Sequence, residues 1–531
     1  MERNFQLPGR SAVFANREMA ATSHPLATQT ALDVLREGGN AVDAAVAACA
    51  VQCVVEPHMT GIGGDCFVLL AEPDGSLYGL NGSGQAPANI TSNKVTPNEL
   101  GQFPPDSIHT VTAPGAVRAW ESILHSHGRT SLATVLQPAI RYAAEGFAVA
   151  PRVASDWRGL TKKLARDETS RRLYLIDGQA PMAGQRMAFP ELAATLQTIA
   201  KDGADAFYSG AIAADIAQTI GHYGGYLDEN DLAAVQATPV DPIAGDYRGT
   251  TVVELPPGGQ GIIALLILAI LERFDIGTLD PEGPERAHLA LEAARLAYSA
   301  RDRLLADTGA MTVSPGDLLT PDFISSLAAR INPDARLEKI DPALVSPNSD
   351  TVYISVVDDE GRAVSFINSL YGGFGVGICT PKTGVMLQNR GACFSLEEGH
   401  PNCLAPGKRP MHTIIPAMAL RDEKPWLCFG VMGGGYQPCG HAHVISNLVD
   451  FDMDLQAALD SPRLFFDENS HVVKTEQGVR EATISGLQGR GHTVQMTENP
   501  LGGGQAIMFD RKNTGLVGAS DFRKDGCAIG R

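Results

Sequence analysis

The chain has 531 residues, more than one simple domain usually holds, and 44% of them are apolar, which is enough to bury a sizeable core. Its formal net charge of -18 argues against nucleic acid or an anionic membrane as the main partner. No apolar run reaches the roughly 18 residues of a membrane span, and nine scattered cysteines without an N-terminal secretory signal indicate a cytoplasmic protein with reduced thiols.

The first part of the chain is dominated by helical periodicity. Ser23-His24-Pro25 precedes an apolar pattern over 26–38, and an alanine-rich segment over 41–54 predicts a second helix that ends before Glu56-Pro57. The apolar run 66–70 predicts a buried strand. Further helices are predicted at Gly115–His125, Leu132–Glu145, Pro190–Lys201, Ala211–His222, Gly261–Leu271 and Glu285–Leu305.

The character of the sequence changes after the last of these helices. Residues 332–350 are polar and interrupted by three prolines, which is typical of a flexible, exposed linker. Thr351–Val357 and Arg362–Ser369 are separated by an acidic turn and alternate in polarity, which predicts a β-hairpin. A helix-rich part, residues 1–350, therefore meets a strand-rich part, residues 351–531, at a linker, as in a precursor that is cut at the end of that linker.

Thr351 is the first candidate for chemistry. A threonine hydroxyl needs a base to act as a nucleophile. If the bond between Asp350 and Thr351 is cut, the freed α-amine lies beside the hydroxyl, and its pKa of about 7.7–8.0 suits a general base near neutral pH. An ordinary strand threonine is the competing interpretation, and position alone favours it.

Other residue groups admit a catalytic or a structural interpretation. The runs Gly63-Gly64 and Gly433-Gly434-Gly435 either bring backbone N–H groups to a substrate oxyanion or form tight turns. No Gly-x-Ser-x-Gly motif marks a serine nucleophile, and no metal or organic cofactor is implied. Two cysteine–histidine sets lack zinc-site spacing, which favours buried thiols and hydrogen-bonded imidazoles; they are Cys439, His441, His443 and Cys393, His400, Cys403.

Seven short motifs occur together and in the order of one known family. They are Gly38-Gly39-Asn40-Ala41-Val42-Asp43, Val55–Gly64, Ala113-Pro114-Gly115, Leu255-Pro256-Pro257, Asp350-Thr351, Met432-Gly433-Gly434 and Gly518-Ala519-Ser520-Asp521. With this combination the chain resembles the gamma-glutamyltranspeptidases. The resemblance implies an α/β fold, the four-layer αββα sandwich of Ntn hydrolases, and a precursor cleaved between Asp350 and Thr351. It also implies that residues 1–350 and 351–531 become large and small subunits of one intertwined αβ heterodimer, with further dimerisation left open.

The resemblance assigns catalytic roles residue by residue. Thr351 is implied as the nucleophile, and Gly433 and Gly434 as donors of N–H groups to the oxyanion. Ser369 matches the family's threonine that supports the nucleophile. These roles predict acyl transfer through a threonyl ester, with the α-amine of the cleaved chain as general base.

The residues that hold a γ-glutamyl head group in glutathione-using members are changed here. The stretch 86–92 lacks their arginine, Met411-His412 replaces a serine pair, Cys393 replaces an acidic residue, and Tyr371 replaces an asparagine. Arg390 stands where those members have Gln or Glu. Such polar changes alter recognition strongly.

We therefore expect an amidohydrolase near the oxamate amidohydrolase branch of the family. Its expected substrate is a small anionic amide such as oxamate, held by Arg390, Tyr371, Met411 and His412, with no nucleic acid or membrane partner. A true gamma-glutamyltransferase or glutathione hydrolase and a cephalosporin-acylase-like amidase are the alternatives. A non-catalytic binding protein would need a lost nucleophile or oxyanion loop. For Arg390, a structural ion pair is the alternative to substrate contact.

Overall fold

The computed structural model describes residues 9–99, 101–340, 351–510, 512 and 515–531. Its helices are α1 (Pro25–Arg36), α2 (Ala41–Val55), α3 (Ala116–His127), α4 (Leu132–Val135), α5 (Gln137–Glu145), α6 (Pro151–Gly159), α7 (Thr161–Leu164), α8 (Glu168–Tyr174), α9 (Pro190–Asp202), α10 (Asp205–Tyr208), α11 (Gly210–His222), α12 (Glu229–Ala233), α13 (Gly261–Leu271), α14 (Pro284–Leu304), α15 (Pro321–Ala328), α16 (Gln437–Val449), α17 (Leu455–Asp460) and α18 (Glu481–Gly489). None of the helices in these ranges is both long enough and apolar enough to cross a membrane.

In the described residues, the strands form two large sheets and two small ones. They are β1 (Val13–Ala15), β2 (Met19–Thr22), β3 (Asp65–Ala71), β4 (Leu77–Gly82), β5 (Phe147–Ala148), β6 (Arg186–Met187), β7 (Thr238–Val240), β8 (Ile243–Tyr247), β9 (Thr250–Glu254), β10 (Val352–Val357), β11 (Ala363–Ser369), β12 (Ala417–Arg421), β13 (Lys424–Met432), β14 (Leu464–Phe466), β15 (Val473–Thr475), β16 (Val494–Met496), β17 (Gly503–Asp510), β18 (Gly515–Ser520) and β19 (Cys527–Gly530). One seven-stranded sheet has the order β1-β18-β17-β13-β12-β9-β8, and the other has the order β19-β2-β10-β11-β3-β4-β7.

The alternation of buried side chains along these strands shows four layers. On β3, Phe67 lies in a core between the two sheets, whereas Val68 lies in a core shared with α2 and its neighbouring helices. On β13, Cys428 joins the core between the sheets and Phe429 joins a third core, which includes residues of α13, α14 and α16. Because neighbouring side chains of a strand point to opposite faces, the layers are helices, sheet, sheet and helices.

Both large sheets combine strands from the two predicted parts of the chain. In one sheet, β10 of the second part pairs with β2 of the first, and β11 pairs with β3. In the other sheet, β12 pairs with β9, again across the two parts. Described strands from before and after position 350 are thus neighbours in both large sheets.

Local signals explain where the central helices begin. α2 starts with a capping box in which the Asn40 side chain accepts backbone N–H groups and the Asp43 carboxylate accepts the Asn40 N–H at 2.8 Å. The helix predicted over 132–145 is instead two helices, α4 and α5. The reason is Pro138, which has no N–H to donate and is tolerated only in a first turn, so a new helix begins at Gln137.

The described part of the predicted linker is attached to the rest of the fold. The Leu337 N–H donates to Glu292 Oε2 at 2.8 Å, and the Arg336 N–H donates to the Arg490 carbonyl at 2.7 Å. Residues 341–350, with Asp350 and the predicted cleavage site, lie outside the described residues. The flexible linker and the cut therefore stay predictions.

Candidate active site

A β-hairpin places the candidate nucleophile beside a second hydroxyl. β10 and β11 pair antiparallel with Val352 opposite Asn368, so Thr351 and Ser369 face each other at the next position. Thr351 Oγ1 and Ser369 Oγ lie 3.1 Å apart, within hydrogen-bond distance, and both residues are fully buried. The register of the predicted hairpin therefore sets the distance between these hydroxyls.

Ser369 is itself held by two donors. The Tyr371 backbone N–H donates a 2.8 Å hydrogen bond to Ser369 Oγ, and Arg390 Nη2 approaches the same oxygen at 3.4 Å. Tyr371 adopts a φ of 77°, which is uncommon for a bulky residue and turns the chain back at the end of β11. This arrangement lets the Ser369 hydroxyl donate to Thr351 Oγ1 and orient it.

Arg390 is a fully buried cation next to this pair of hydroxyls. Its Nη1 donates a 2.7 Å hydrogen bond to Thr413 Oγ1, and its Cζ lies 4.4 Å from the centre of the Tyr371 ring. Its Nε lies 4.0 Å from Asp65 Oδ2 and has no hydrogen-bond partner among the described residues. The guanidinium edge that carries Nε and Nη2 therefore has unused donor capacity, and it borders Ser369.

Asp65 supplies a negative charge near this arginine, and sequence reasoning missed it. Asp65 is fully buried, and its Oδ1 accepts the backbone N–H groups of Gly84 and Gly115 at 3.1 and 3.2 Å and Gln388 Nε2 at 3.1 Å. Its Oδ2 lies 3.1 Å from His412 Nε2. The available signal was an acidic residue at the head of the apolar strand β3.

His412 is uncharged in this environment. Its Nδ1 accepts the Ile414 backbone N–H at 3.3 Å, so the ring proton lies on Nε2 and is donated to Asp65. Burial, followed by the charge of Arg390, lowers the pKa of His412 to about 4. Since His412 is neutral at pH 7, the Asp65 carboxylate balances the charge of Arg390.

The glycine loop after β13 has a backbone conformation that suits glycine. Gly433 and Gly434 adopt φ values of 123° and 55°, both in the region that favours glycine. A Cβ on Gly433 would lie 2.8 Å from Gly502 Cα. Within the described ranges, no backbone carbonyl accepts a hydrogen bond from the N–H of Gly433 or Gly434. These donors are available for a substrate oxygen, as an oxyanion hole requires.

Gln260, which sequence reasoning also missed, connects this loop to the arginine. Gln260 Nε2 donates to the carbonyls of Thr413 and Gly434 at 2.8 and 2.9 Å, and its Oε1 accepts Arg301 Nη1 at 3.1 Å. Because the Thr413 hydroxyl accepts from Arg390, polar contacts run continuously from the nucleophile hydroxyl to the glycine loop.

Met411, a predicted substrate contact, and Cys393, which stands in place of an acidic residue, adjoin His412 and Arg390. Met411 is buried in the core between one sheet and its outer helices, and its backbone N–H donates to Asn402 Oδ1 at 3.0 Å. Cys393 Sγ lies 3.9 Å from Arg390 Nη1, and burial raises the pKa of this thiol, so it stays protonated.

Members of the first cysteine–histidine set have separate partners. His441 Nδ1 lies 2.6 Å from Glu254 Oε1, while its Nε2 accepts the Val431 backbone N–H at 3.1 Å. Cys439 Sγ lies 3.6 Å from the Tyr298 hydroxyl oxygen. His441 is thus a hydrogen-bonded imidazole, whereas Cys439 is a half-buried thiol.

The sequence model of the family described as gamma-glutamyltranspeptidase matches residues 27–531. The chain belongs to the gamma-glutamyltranspeptidase family. It is 35% identical over 527 residues to the glutathione hydrolase-like YwrD proenzyme of Bacillus subtilis (strain 168), covering 98% of this chain and 99% of that protein. It is also 35% identical over 536 residues to the oxamate amidohydrolase proenzyme of Klebsiella pneumoniae subsp. pneumoniae, covering 96% of this chain and 98% of that protein.

A solved structure extends the match to the whole fold of this gamma-glutamyltranspeptidase family member. The structure of cephalosporin acylase from Bacillus halodurans superposes with a TM-score of 0.91 at 37% identity, covering 100% of this chain and 99% of that chain. The predicted α/β fold, the αββα sandwich of Ntn hydrolases, is thereby confirmed, and so is the prediction that the chain is an enzyme. The roles of its individual residues stay predictions.

Proposed function

We propose that the chain is a self-processing amidohydrolase with Thr351 as its N-terminal nucleophile. The observation that carries this proposal is a buried series of polar contacts that begins at Thr351 and ends at the Gly434 carbonyl. The residues between them are Ser369, Arg390, Thr413 and Gln260. Acyl transfer needs an oriented hydroxyl and backbone N–H donors for the oxyanion. Here a neighbouring hydroxyl orients Thr351, and the polar contacts join it to the glycine loop that carries the N–H groups. Two relatives whose names call them proenzymes support the precursor.

Self-cleavage uses the same hydroxyl as catalysis. Thr351 Oγ1 attacks the carbonyl carbon of Asp350, the peptide C–N bond breaks, and an ester links the two residues. Water then hydrolyses this ester, which leaves a carboxylate on Asp350 and a free α-amine on Thr351. The products are residues 1–350 and 351–531, and the mixed strand order of both sheets holds them together as an αβ heterodimer.

Turnover follows the same chemistry on a substrate amide. The α-amine of Thr351 takes the hydroxyl proton as Oγ1 attacks the carbonyl carbon, and it passes that proton to the leaving amine. The N–H groups of Gly433 and Gly434 stabilise the oxyanion. Water releases the acid from the threonyl ester and regenerates the enzyme.

The proposed substrate is a small amide with a carboxylate beside the scissile carbonyl, such as oxamate. The Nε–Nη2 edge of Arg390 suits a bidentate contact with that carboxylate, and it borders the nucleophile's neighbour Ser369. Asp65 Oδ2, at 4.0 Å from Nε, balances the buried charge without a hydrogen bond to this edge. The relative named oxamate amidohydrolase supports this choice.

Steady-state kinetics with oxamate and γ-glutamyl-p-nitroanilide test the substrate. Arg390→Ala should lower kcat/KM for oxamate by about 10–100-fold, since a hydrogen bond to a charged group contributes about 1.5–3 kcal/mol. Arg390→Lys keeps the positive charge but cannot make the bidentate contact of a guanidinium, so its kcat/KM for oxamate should be intermediate. Efficient γ-glutamyl turnover that survives Arg390→Ala would instead restore a gamma-glutamyltransferase or glutathione hydrolase, with Arg390 in a structural ion pair.

A cephalosporin-acylase-like amidase is the second candidate. The observation that favours it is the 0.91 TM-score with cephalosporin acylase at 37% identity. Adding an N-acyl cephalosporin to the substrate panel separates the two candidates. A kcat/KM for this amide above that for oxamate would favour the acylase activity.

A further inference from the structure

A second buried polar cluster lies far along the chain from the nucleophile, between α14 and the turn after α18. His288 and Glu292 are one helical turn apart on α14. His492 Nε2 lies 2.8 Å from His288 Nδ1 and 3.9 Å from Glu292 Oε1. Ligand atoms of these three residues lie within 4.8 Å of one another, close enough to consider a metal ion.

The surroundings of Glu292 disfavour a metal ion at this place. Its Oε1 accepts Arg295 Nη1 at 2.5 Å, and its Oε2 accepts the Leu337 N–H at 2.8 Å. A dication bound to this carboxylate would displace these donors and face the charge of the Arg295 guanidinium. The carboxylate is therefore occupied by its own protein partners.

The same cluster has arginine N–H groups without acceptors. Arg295 is 2% exposed, and the Nε of Arg295 and of Arg336 have no hydrogen-bond partner among the described residues. Arg336 directly precedes Leu337, and the Leu337 carbonyl accepts a hydrogen bond from Arg295 Nη2 at 3.1 Å. Arg336 is half-buried and follows the exposed residues 332–335, so it lies at the protein surface, although its Nε is itself buried. Because guanidinium groups stay protonated, such buried donors favour an anionic partner.

His492 adds a hydrogen-bond acceptor to these arginine donors. His288 Nε2 donates to the Asn332 carbonyl at 2.8 Å, so His288 Nδ1 is an acceptor and His492 Nε2 carries the ring proton. The remaining His492 Nδ1 is a buried lone pair without a partner in the described part of the chain. Burial, then His288 and the charges of Arg295 and Arg336, lower the pKa of His492 to about 3. A neutral His492 therefore accepts a hydrogen bond at pH 7.

We propose that Arg295, Arg336 and His492 bind a phosphate group. Phosphate oxygens accept the arginine N–H donors, and the O–H of a hydrogenphosphate donates to His492 Nδ1. A free phosphate ion and a phosphomonoester share this chemistry. The two arginines lie before the proposed cleavage site and His492 lies after it, so the bound group also joins the two parts of the chain.

Isothermal titration calorimetry of the full-length chain tests the site with inorganic phosphate and, separately, phenyl phosphate. Arg336→Gln should weaken phosphate binding by about tenfold or more, the usual effect of losing a charged hydrogen-bond donor. Arg330→Gln is the matched control, since Arg330 is an exposed arginine of the same region whose guanidinium donates to the Lys339 carbonyl at 3.4 Å. Arg336→Lys should retain part of the affinity.

The outcomes separate the proposal from the proposed function. Binding of phosphate alone identifies the free ion, and binding of both ligands identifies a phosphomonoester site. Thr351→Ala should bind phosphate as the wild type does, whatever its activity. The site is wrong if the wild type binds no phosphate, or if Arg336→Gln binds phosphate with the affinity of the wild type. It is also wrong if the wild type binds Zn²⁺ but not phosphate and His492→Ala abolishes the Zn²⁺ binding.

Discussion

Replacing Ser369 by alanine tests how the candidate nucleophile is oriented. The change removes the 3.1 Å contact with Thr351 Oγ1 and leaves the Tyr371 N–H without its 2.8 Å acceptor. An unsatisfied buried donor costs about 1–3 kcal/mol, and each 1.4 kcal/mol corresponds to about a tenfold change in rate. We therefore expect the free energy of unfolding to fall by about 1–3 kcal/mol because of the unsatisfied donor. Loss of the hydroxyl that orients Thr351, about 0.5–1.5 kcal/mol, should lower kcat by up to about tenfold.

The assay is hydrolysis of oxamate, or of the best amide in the panel, with kcat and KM measured separately. Ser369→Thr is the matched control, since it keeps the hydroxyl and restores the residue that the family resemblance implies at this position. It should keep most of kcat, while Ser369→Ala loses kcat with a smaller change in KM. A Ser369→Ala enzyme with wild-type kcat would refute the argument that Ser369 orients Thr351.

Three further predictions follow from the same contacts and charges. Gly434→Val forces a β-branched residue into a φ of 55° and misplaces an oxyanion donor, so kcat should fall by about 10²–10³-fold in a variant that still folds by circular dichroism. Gln260→Leu removes the hydrogen bonds to the Thr413 and Gly434 carbonyls. Since each bond contributes about 0.5–1.5 kcal/mol, we expect kcat to fall by about tenfold or more, with little effect on KM. Burial, as the largest cause, lowers the pKa of His24, His412 and His492 to about 3, 4 and 3, so the unfolded chain takes up protons below about pH 6.5 that the folded chain does not. Denaturant unfolding should therefore show a lower stability at pH 5 than at pH 7, by about 2 kcal/mol for each histidine, and an unchanged midpoint would contradict these values.

The sequence is most informative where contacts are local. The alternating hairpin predicts β10 and β11, and its register brings Thr351 opposite Ser369. The glycines at 433 and 434 are identifiable because only glycine tolerates their φ values easily. The wholly apolar segment Gly261–Leu271 is the buried helix α13 with the same bounds.

The sequence is least informative where side chains from distant segments meet. Asp65 reaches His412 across 347 positions of the chain, and Gln260 reaches Gly434 across 174. Neither residue belongs to a spacing pattern that predicts chemistry, because tertiary packing alone brings these segments together. Arg390 is predicted as a substrate contact, but its burial against Tyr371 is visible only in the structure.

The most direct test of the central claim is the N-terminal sequence and mass of the purified, active protein. The account predicts two fragments, residues 1–350 and 351–531, and the smaller one should begin Thr-Val-Tyr-Ile. Thr351→Ala should remain one chain and show no amidase activity. A fully active enzyme that consists of a single uncut chain would contradict the assignment of Thr351 as an N-terminal nucleophile.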